Sequence, residues 1–275
     1  MKDRHLLFVF IFLSGLFFIS CCREKPVEPT PTTPVDHGHI TFKFTHEVDG
    51  ALLQKDTMKY VNAAGNPYGV YDLQYFISDV TLHKSDGSTK LIDDWKDIDY
   101  VDISIPSTLT WNVYDDIPLG TYDSITFVFG ITAAKNQSFM FVNAPEVNMM
   151  WPDVLGGGYH YMIMNGKWKD TANVVQSFNF HLGIGQLYHS DSISCVDSIY
   201  AFVQNYFTVT LPSSSFSIVK DGTREIEIIM NVDSWFKTPN IYDHNYWGQN
   251  IMQNQPAMQM AKENGYDVFT TGLIH

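Results

Sequence analysis

Residues 39–50 read HITFKFTHEVDG. Ile40, Phe42, Phe44, His46 and Val48 share one parity, while Thr41, Lys43 and Thr45 take the other. Side chains of a strand alternate between its two faces, so this spacing predicts a half-buried β-strand with His46 on the apolar side. Asp49-Gly50 supplies the turn that ends it. The same period returns down the chain. Tyr71 to Leu82 (YDLQYFISDVTL) predicts a second strand, Asp86-Gly87 a turn, and Lys90 to Ile92 a third strand. Trp95 to Ile105 reads as an edge-like segment rich in aspartate. Pro118-Leu119-Gly120 turns the chain into Tyr122 to Ile131, where Ile125, Phe127, Phe129 and Ile131 line one face. Tyr200 to Leu211 and Glu225 to Val232 follow. Only the end has helical spacing: Asn254 caps, Pro256 suits a first turn, Ala257, Met258, Met260 and Ala261 recur at helical intervals, and Asn264-Gly265 stops it. Many short strands joined by Gly, Pro and Asp turns predict an all-β chain, an antiparallel β-sandwich-like single domain with a short C-terminal helix.

Ahead of that domain, residues 1–20 carry Lys2 and Arg4 followed by an apolar run from Leu6 to Ile19. The run is short for a membrane span and suits the middle of a secretory signal. Phe18, Ile19 and Ser20 before Cys21 resemble a lipoprotein cleavage site, which implies a chain lipidated at Cys21. Residues 21–38 then form a tether: with Pro26, Pro29, Pro31 and Pro34 and little apolar content, they cannot bury a core. Residues 39–275 remain for one β-rich domain. The expected location is the bacterial cell envelope, lipid-anchored on the periplasmic or cell-surface side of the outer membrane.

A hydrophobic fraction of 45%, with 15% aromatic residues, is ample for a core of that size. The net charge of −13 over the whole chain gives no electrostatic footprint for nucleic acid. Cys195 stands alone in the folded part, so neither a disulfide framework nor a thiolate metal site is legible.

The chemistry concentrates between Met149 and Gly183, in MMWPDVLGGGYHYMIMNGKW and, after a polar break, SFNFHLG. As a strand, GYHYMIM would place His160 with Met162 and Met164 on one face. In SFNFHLG the apolar parity belongs to Phe178, Phe180 and Leu182, so His181 points away from the core with Asn179. Imidazoles from neighbouring strands can converge on one ion, with His46 a third if the first strand runs alongside. Histidines with the thioethers of Met149, Met150 or Met162 suit Cu(I) or Cu(II), and zinc would accept the same imidazoles. The glycines at 156–158 precede no helix, so they read as a sharp turn beside Trp151 rather than a phosphate cradle. Asn136-Gln137-Ser138 matches a glycosylation sequon, which carries little meaning on a bacterial lipoprotein. No assembled nucleophile and base stands out, and the chain reads as a non-enzyme.

Several segments together resemble the MbnP-like copper-binding proteins, secreted or lipid-anchored β-rich domains. They are FTHEVDG, YDLQYFISDVTL, PLGTYDSITFVFGI, MMW followed by GGGYHYM, FHLG and AKENGYDVF, in that order across residues 40–270. The resemblance implies copper held by histidines. It also implies a tryptophan oxidised to kynurenine by a partner dihaem protein of the peroxidase type, the kynurenine then helping to hold the metal. On the matching positions Trp151 is the oxidised residue, His181 a ligand, and His46 the early histidine. The chain departs from the pattern at Asn136-Gln137, where members often carry Asn-His, and at Asp153 and the lone Cys195, where they carry a second tryptophan and paired cysteines. A ligand is thus missing or replaced, with His160 the best substitute.

Two expectations follow. The first is an extracytoplasmic copper-binding lipoprotein with His46, His160 and His181 as ligands, Trp151, Met149 and Met150 as oxidised residue or secondary ligands, a membrane attachment at Cys21, and a dihaem peroxidase-like partner. The alternative is a metal-free surface module holding glycan or peptide on exposed aromatics such as Trp111, Trp151 and Tyr159.

Overall fold

A computed structural model describes residues 35–189 and 195–275. The expected leader at 1–20, Cys21 and the tether as far as Pro34 lie outside the described residues.

Two sheets enclose the core. In the first, β1 (His37–Val48) buries alternate residues, and Ile40, Phe42, Phe44, His46 and Val48 are the buried set. The second and larger sheet is built on β2 (Pro67–His83), a 17-residue strand that replaces the shorter Tyr71–Leu82 run read from the sequence. Along one edge of β2 lie β3 (Ile98–Asp102) and the short strand Thr89–Leu91. The aspartate-rich segment is a strand only at its centre; that centre is paired on one side alone, an edge strand as expected, yet it is buried at all five positions. The other edge receives β4 (Ser124–Phe129) on its second half and β5 (Met162–Lys169) on its first. The two meet at Phe76, whose N–H donates to Tyr161 O at 3.0 Å and whose carbonyl accepts from Gly130 N at 2.8 Å.

Beyond β5 lies β6 (Val175–Leu182), and beyond β4 lies β7 (Phe207–Leu211). The run expected from Tyr200 to Leu211 is in fact two strands, Ile199–Val203 and β7. The first sheet is completed by β8 (Thr223–Asn231), parallel to β1, and β9 (Phe269–Ile274), antiparallel to β8. All other pairings of the described strands are antiparallel. The architecture is the expected sandwich, with helix α1 (Gln255–Asn264) capped by Asn254, whose side chain accepts from Ala257 N. Among the described residues no helix is long and apolar enough to cross a membrane.

Aromatic rings join the layers. Phe269 of β9 meets Tyr75, Phe127 and Phe129 of the second sheet at centroid distances of 6.2, 5.2 and 5.5 Å. Phe129 also touches Phe207 and Trp235 at 5.2 and 5.1 Å. Phe129→Ala removes the ring that Phe269, Phe207 and Trp235 share, and the cavity left is expected to cost about 3–5 kcal/mol, read as a lower midpoint in urea unfolding with an unchanged slope.

Candidate metal centre

The loop between β4 and β5 folds over the outer face of the second sheet. Its neck is closed by Met150 bridging Tyr159 and by Trp151 N–H donating to Gly158 O at 2.8 Å. Gly156, Gly157 and Gly158 have φ of 117°, 70° and 76°, three left-handed residues in succession that only glycine adopts without strain. Asn136 pins the descending strand, accepting from Tyr159 N at 2.8 Å, and Ser138 accepts from Gly158 N at 2.9 Å while donating to Asp153 at 2.6 Å. Asn136 is thus a buried clamp.

Trp151 is fully buried beneath this loop, and its Nε1–H donates to Leu155 O at 3.0 Å. Its six-membered ring lies on Gly183: a Cβ there would sit 2.6–3.0 Å from three indole carbons. The glycine of the HLG motif is therefore the seat of the indole. His160 also stands against Trp151, ring centroids 4.6 Å apart and edge-on, and His160 in turn meets His181 at 5.2 Å.

The two imidazoles are held differently. Both N–H of the His160 backbone and ring Nδ1 reach Met149 O, at 2.7 and 2.9 Å. A carbonyl only accepts, so Nδ1 carries the proton and Nε2 is left with a bare lone pair. That Nε2 is buried and has no hydrogen-bond partner. His181 Nε2 contacts Asn165 Oδ1 at 2.8 Å. Burial pushes His160 down to about 4, against a smaller upward pull from the Met149 and Met150 backbone; burial and then the neighbouring His160 push His181 down to about 3. Both are neutral at pH 7, the state in which imidazole binds a metal without first losing a proton.

Other expected members of the site lie elsewhere. His46 is not with the pair: it faces the core from the first sheet, and its Nε2 contacts the Tyr75 hydroxyl at 3.1 Å. The reason is the strand period itself, which puts His46 in phase with Phe42 and Phe44. The parity reading of GYHYMIM fails at its first residues, because β5 begins only at Met162 and the chain bends through 159–161. Met162 and Met164 are fully buried in the core, while His160 turns to the outer side with His181. Met149 contributes its carbonyl; Met150 is partly buried against the core. The aromatic platform also fails, since Trp111, Trp151 and Tyr159 are 3%, 0% and 0% exposed and offer no face to a sugar or peptide.

Among the described residues, the one group of three His, Cys, Asp or Glu side chains close enough to share an ion is Asp93, Asp94 and Asp115. Lys90 already sits among them, 2.5 Å from Asp115, and offsets one of the three charges.

The MbnP family model matches residues 37–254, four-fifths of the chain and all of both site segments. The chain belongs to the MbnP family. Among solved structures it is similar to MbnP from Methylosinus trichosporium, with a TM-score of 0.52 and 13% identity, over 86% of this chain and 99% of that one. At that identity the likeness extends to the family's fold alone. No curated protein sequence matches.

Sequence reasoning missed four contributors: Asn136 and Ser138, which clamp the loop; Asn165, which shares the outer face of β5 with Ile163; and Gly183. Carrying the parity of Ile163 two residues further would have placed Asn165 beside His181. It also missed His244, a fully buried histidine with neither ring nitrogen partnered, enclosed by Trp168, Phe178, Phe236 and Tyr242.

Two outcomes follow. Gly183→Ala forces its Cβ into the Trp151 ring, which has no flexible end to yield, and should cost about 1–3 kcal/mol with a shifted tryptophan emission. Burial pushes His46 down to about 4 and His244 down to about 3, well below their unfolded value. Folding therefore excludes protons that the unfolded chain binds, so stability is full above about pH 6.5 and falls as pH drops towards 4. Urea midpoints of the metal-free protein between pH 7 and 4.5 check this, and His244→Phe should flatten the fall.

Proposed function

We propose that this chain is an extracytoplasmic copper-binding lipoprotein that holds the metal through His160 and His181 beside Trp151. The observation that carries the reading is the bare, buried Nε2 of His160, oriented by Met149 O and placed next to a second neutral imidazole. Leaving such a nitrogen unpaired costs free energy unless something occupies its lone pair. The donor set favours copper over zinc. Structural zinc takes four ligands and catalytic zinc three, whereas the described residues bring two imidazoles together with no third His, Cys, Asp or Glu. Cu(I) accepts ligation by two imidazoles, and imidazole sites rank copper highest among the divalent ions.

Trp151 fits the second part of the reading. Its indole is in ring contact with His160 and shielded from water. Oxidative cleavage of its C2–C3 bond by a dihaem peroxidase-like partner that supplies the oxidant, followed by hydrolytic release of C2 as formate, would convert it to kynurenine and leave a ketone and an aromatic amine beside the histidines. The Cys21 lipid anchor would hold the domain to the envelope membrane, and the chain itself would perform no catalysis.

The whole chain, loaded anaerobically, is expected to retain about one Cu(I) with nitrogen neighbours in its X-ray absorption spectrum. The His160→Ala, His181→Ala double variant should lose it, and His46→Ala should keep it. Unchanged copper affinity in the double variant would overturn the reading. The intact mass of protein from its own host reports the acyl groups and any gain of oxygen with loss of carbon at Trp151.

A further inference from the structure

A directional chain of hydrogen bonds crosses the outer face of the second sheet and ends on His181. Its hub is Asp72 of β2, which pairs in register with Asn165 of β5. A carboxylate only accepts hydrogen bonds, so the groups around Asp72 must turn their donors to it. Asn165 Nδ2 does so at 3.1 Å, and Gln74 Nε2 does so at 3.0 and 3.1 Å to the two oxygens. The orientation of both amides is thereby set. Gln74 turns its oxygen away towards the Tyr100 hydroxyl at 2.8 Å, a donor it shares with Asp102 Oδ2 at 3.0 Å, and Asn165 turns its oxygen towards His181 Nε2 at 2.8 Å. Asn179, the other polar neighbour on this face, is turned to Asn250 at 2.8 Å and does not compete.

An amide oxygen has no proton to give. The Nε2 of a neutral His181 must then be the protonated nitrogen, which leaves the lone pair on Nδ1. Were Asn165 reversed, its NH2 would face Nε2, the proton would move to Nδ1, and that nitrogen would be closed to a ligand. Asp72 is what forbids the reversal.

We propose that Asp72, acting through the Asn165 amide, is a positioning residue that fixes the tautomer of His181 and keeps Nδ1 bare as its metal-binding nitrogen. This rests on the copper reading for its purpose and not for its tautomer. It complements His160, where Met149 O performs the same task on the opposite nitrogen, so the pair presents one Nε2 and one Nδ1. Partners that orient a ligating histidine in this way commonly govern 10- to 100-fold in metal affinity.

The test uses the whole chain, 15N-labelled and metal-free at neutral pH, with imidazole nitrogen spectra that separate protonated from bare ring nitrogens. Wild type is expected to show His181 as a single Nε2–H tautomer. Asp72→Asn, which replaces the obligate acceptor with an amide, should give a mixture of tautomers. The double variant Asp72→Asn, Asn165→Asp moves the carboxylate next to Nε2 and should restore the single tautomer, an outcome that a merely structural role for Asp72 would not produce. In competition with a Cu(I) chelator, the single variant should bind about tenfold or more weakly and the double variant should recover. A single tautomer in Asp72→Asn, or a mixture in wild type, overturns the proposal. So does a tautomer shift that leaves Cu(I) affinity untouched. A chain with the expected tautomers that takes up no Cu(I) sinks the copper reading and leaves the relay in place, which separates the two failures.

Discussion

The contact between the Trp151 ring and the bare Cα of Gly183 decides how the site is built. Because no Cβ intervenes, the indole lies against the end of β6, and the loop from Met150 to Tyr159 closes down on the outer face of the sheet. That face would otherwise be open to water. Under the loop, His160 is brought against the indole and Met149 O within reach of its Nδ1. The three left-handed glycines let the chain double back tightly enough to do this, and Asn136 and Ser138 hold the far side down.

The strand period then divides the labour between the two faces of β5 and β6. Phe178, Phe180, Leu182, Met162 and Met164 fill the core side. His181, Asn165 and Asp72 are left together on the outer side, where a polar chain can be satisfied end to end. The same alternation removes His46 from the site, since one parity on β1 serves the core alone. The pairing of two imidazoles follows from the topology: the first sheet contributes nothing to this face, and the second contributes one histidine from a strand and one from the loop that covers it.

Much of the fold was legible where its strands keep the period of two, as β1 does from end to end. The alternation at 40–48 and 125–131 places the buried set correctly, and the cap and stop of the last helix are written in Asn254, Pro256 and Gly265. The out-of-phase position of His181 was legible for the same reason. What failed did so where the period breaks. His160 precedes β5 in a bend held by hydrogen bonds to Met149 and Leu182, contacts that no local pattern encodes. The partnership of β1 with β8 joins segments some 180 residues apart, and the burial of β3 depends on neighbours that its aspartates give no sign of. The family resemblance, and not spacing, joined Trp151 with His181; in the fold the two stand on either hand of His160, at ring distances of 4.6 and 5.2 Å.

Among the described residues two buried histidines have unpartnered nitrogens, and one of them points to a ligand. His244 has both nitrogens unpaired, but nothing orients it: its neighbours are rings, with Trp168 stacked at 5.5 Å and Phe178 at 4.5 Å. An imidazole in such a cage packs as a flat ring, its N–H weakly satisfied by π faces. His160 differs in the asymmetry of its partners. One nitrogen is committed to a carbonyl, which fixes the tautomer and the direction of the other, and that other nitrogen belongs to a ring 5.2 Å from a second imidazole. Burial alone accounts for His244, whereas an oriented lone pair beside a second donor is an arrangement that packing does not require.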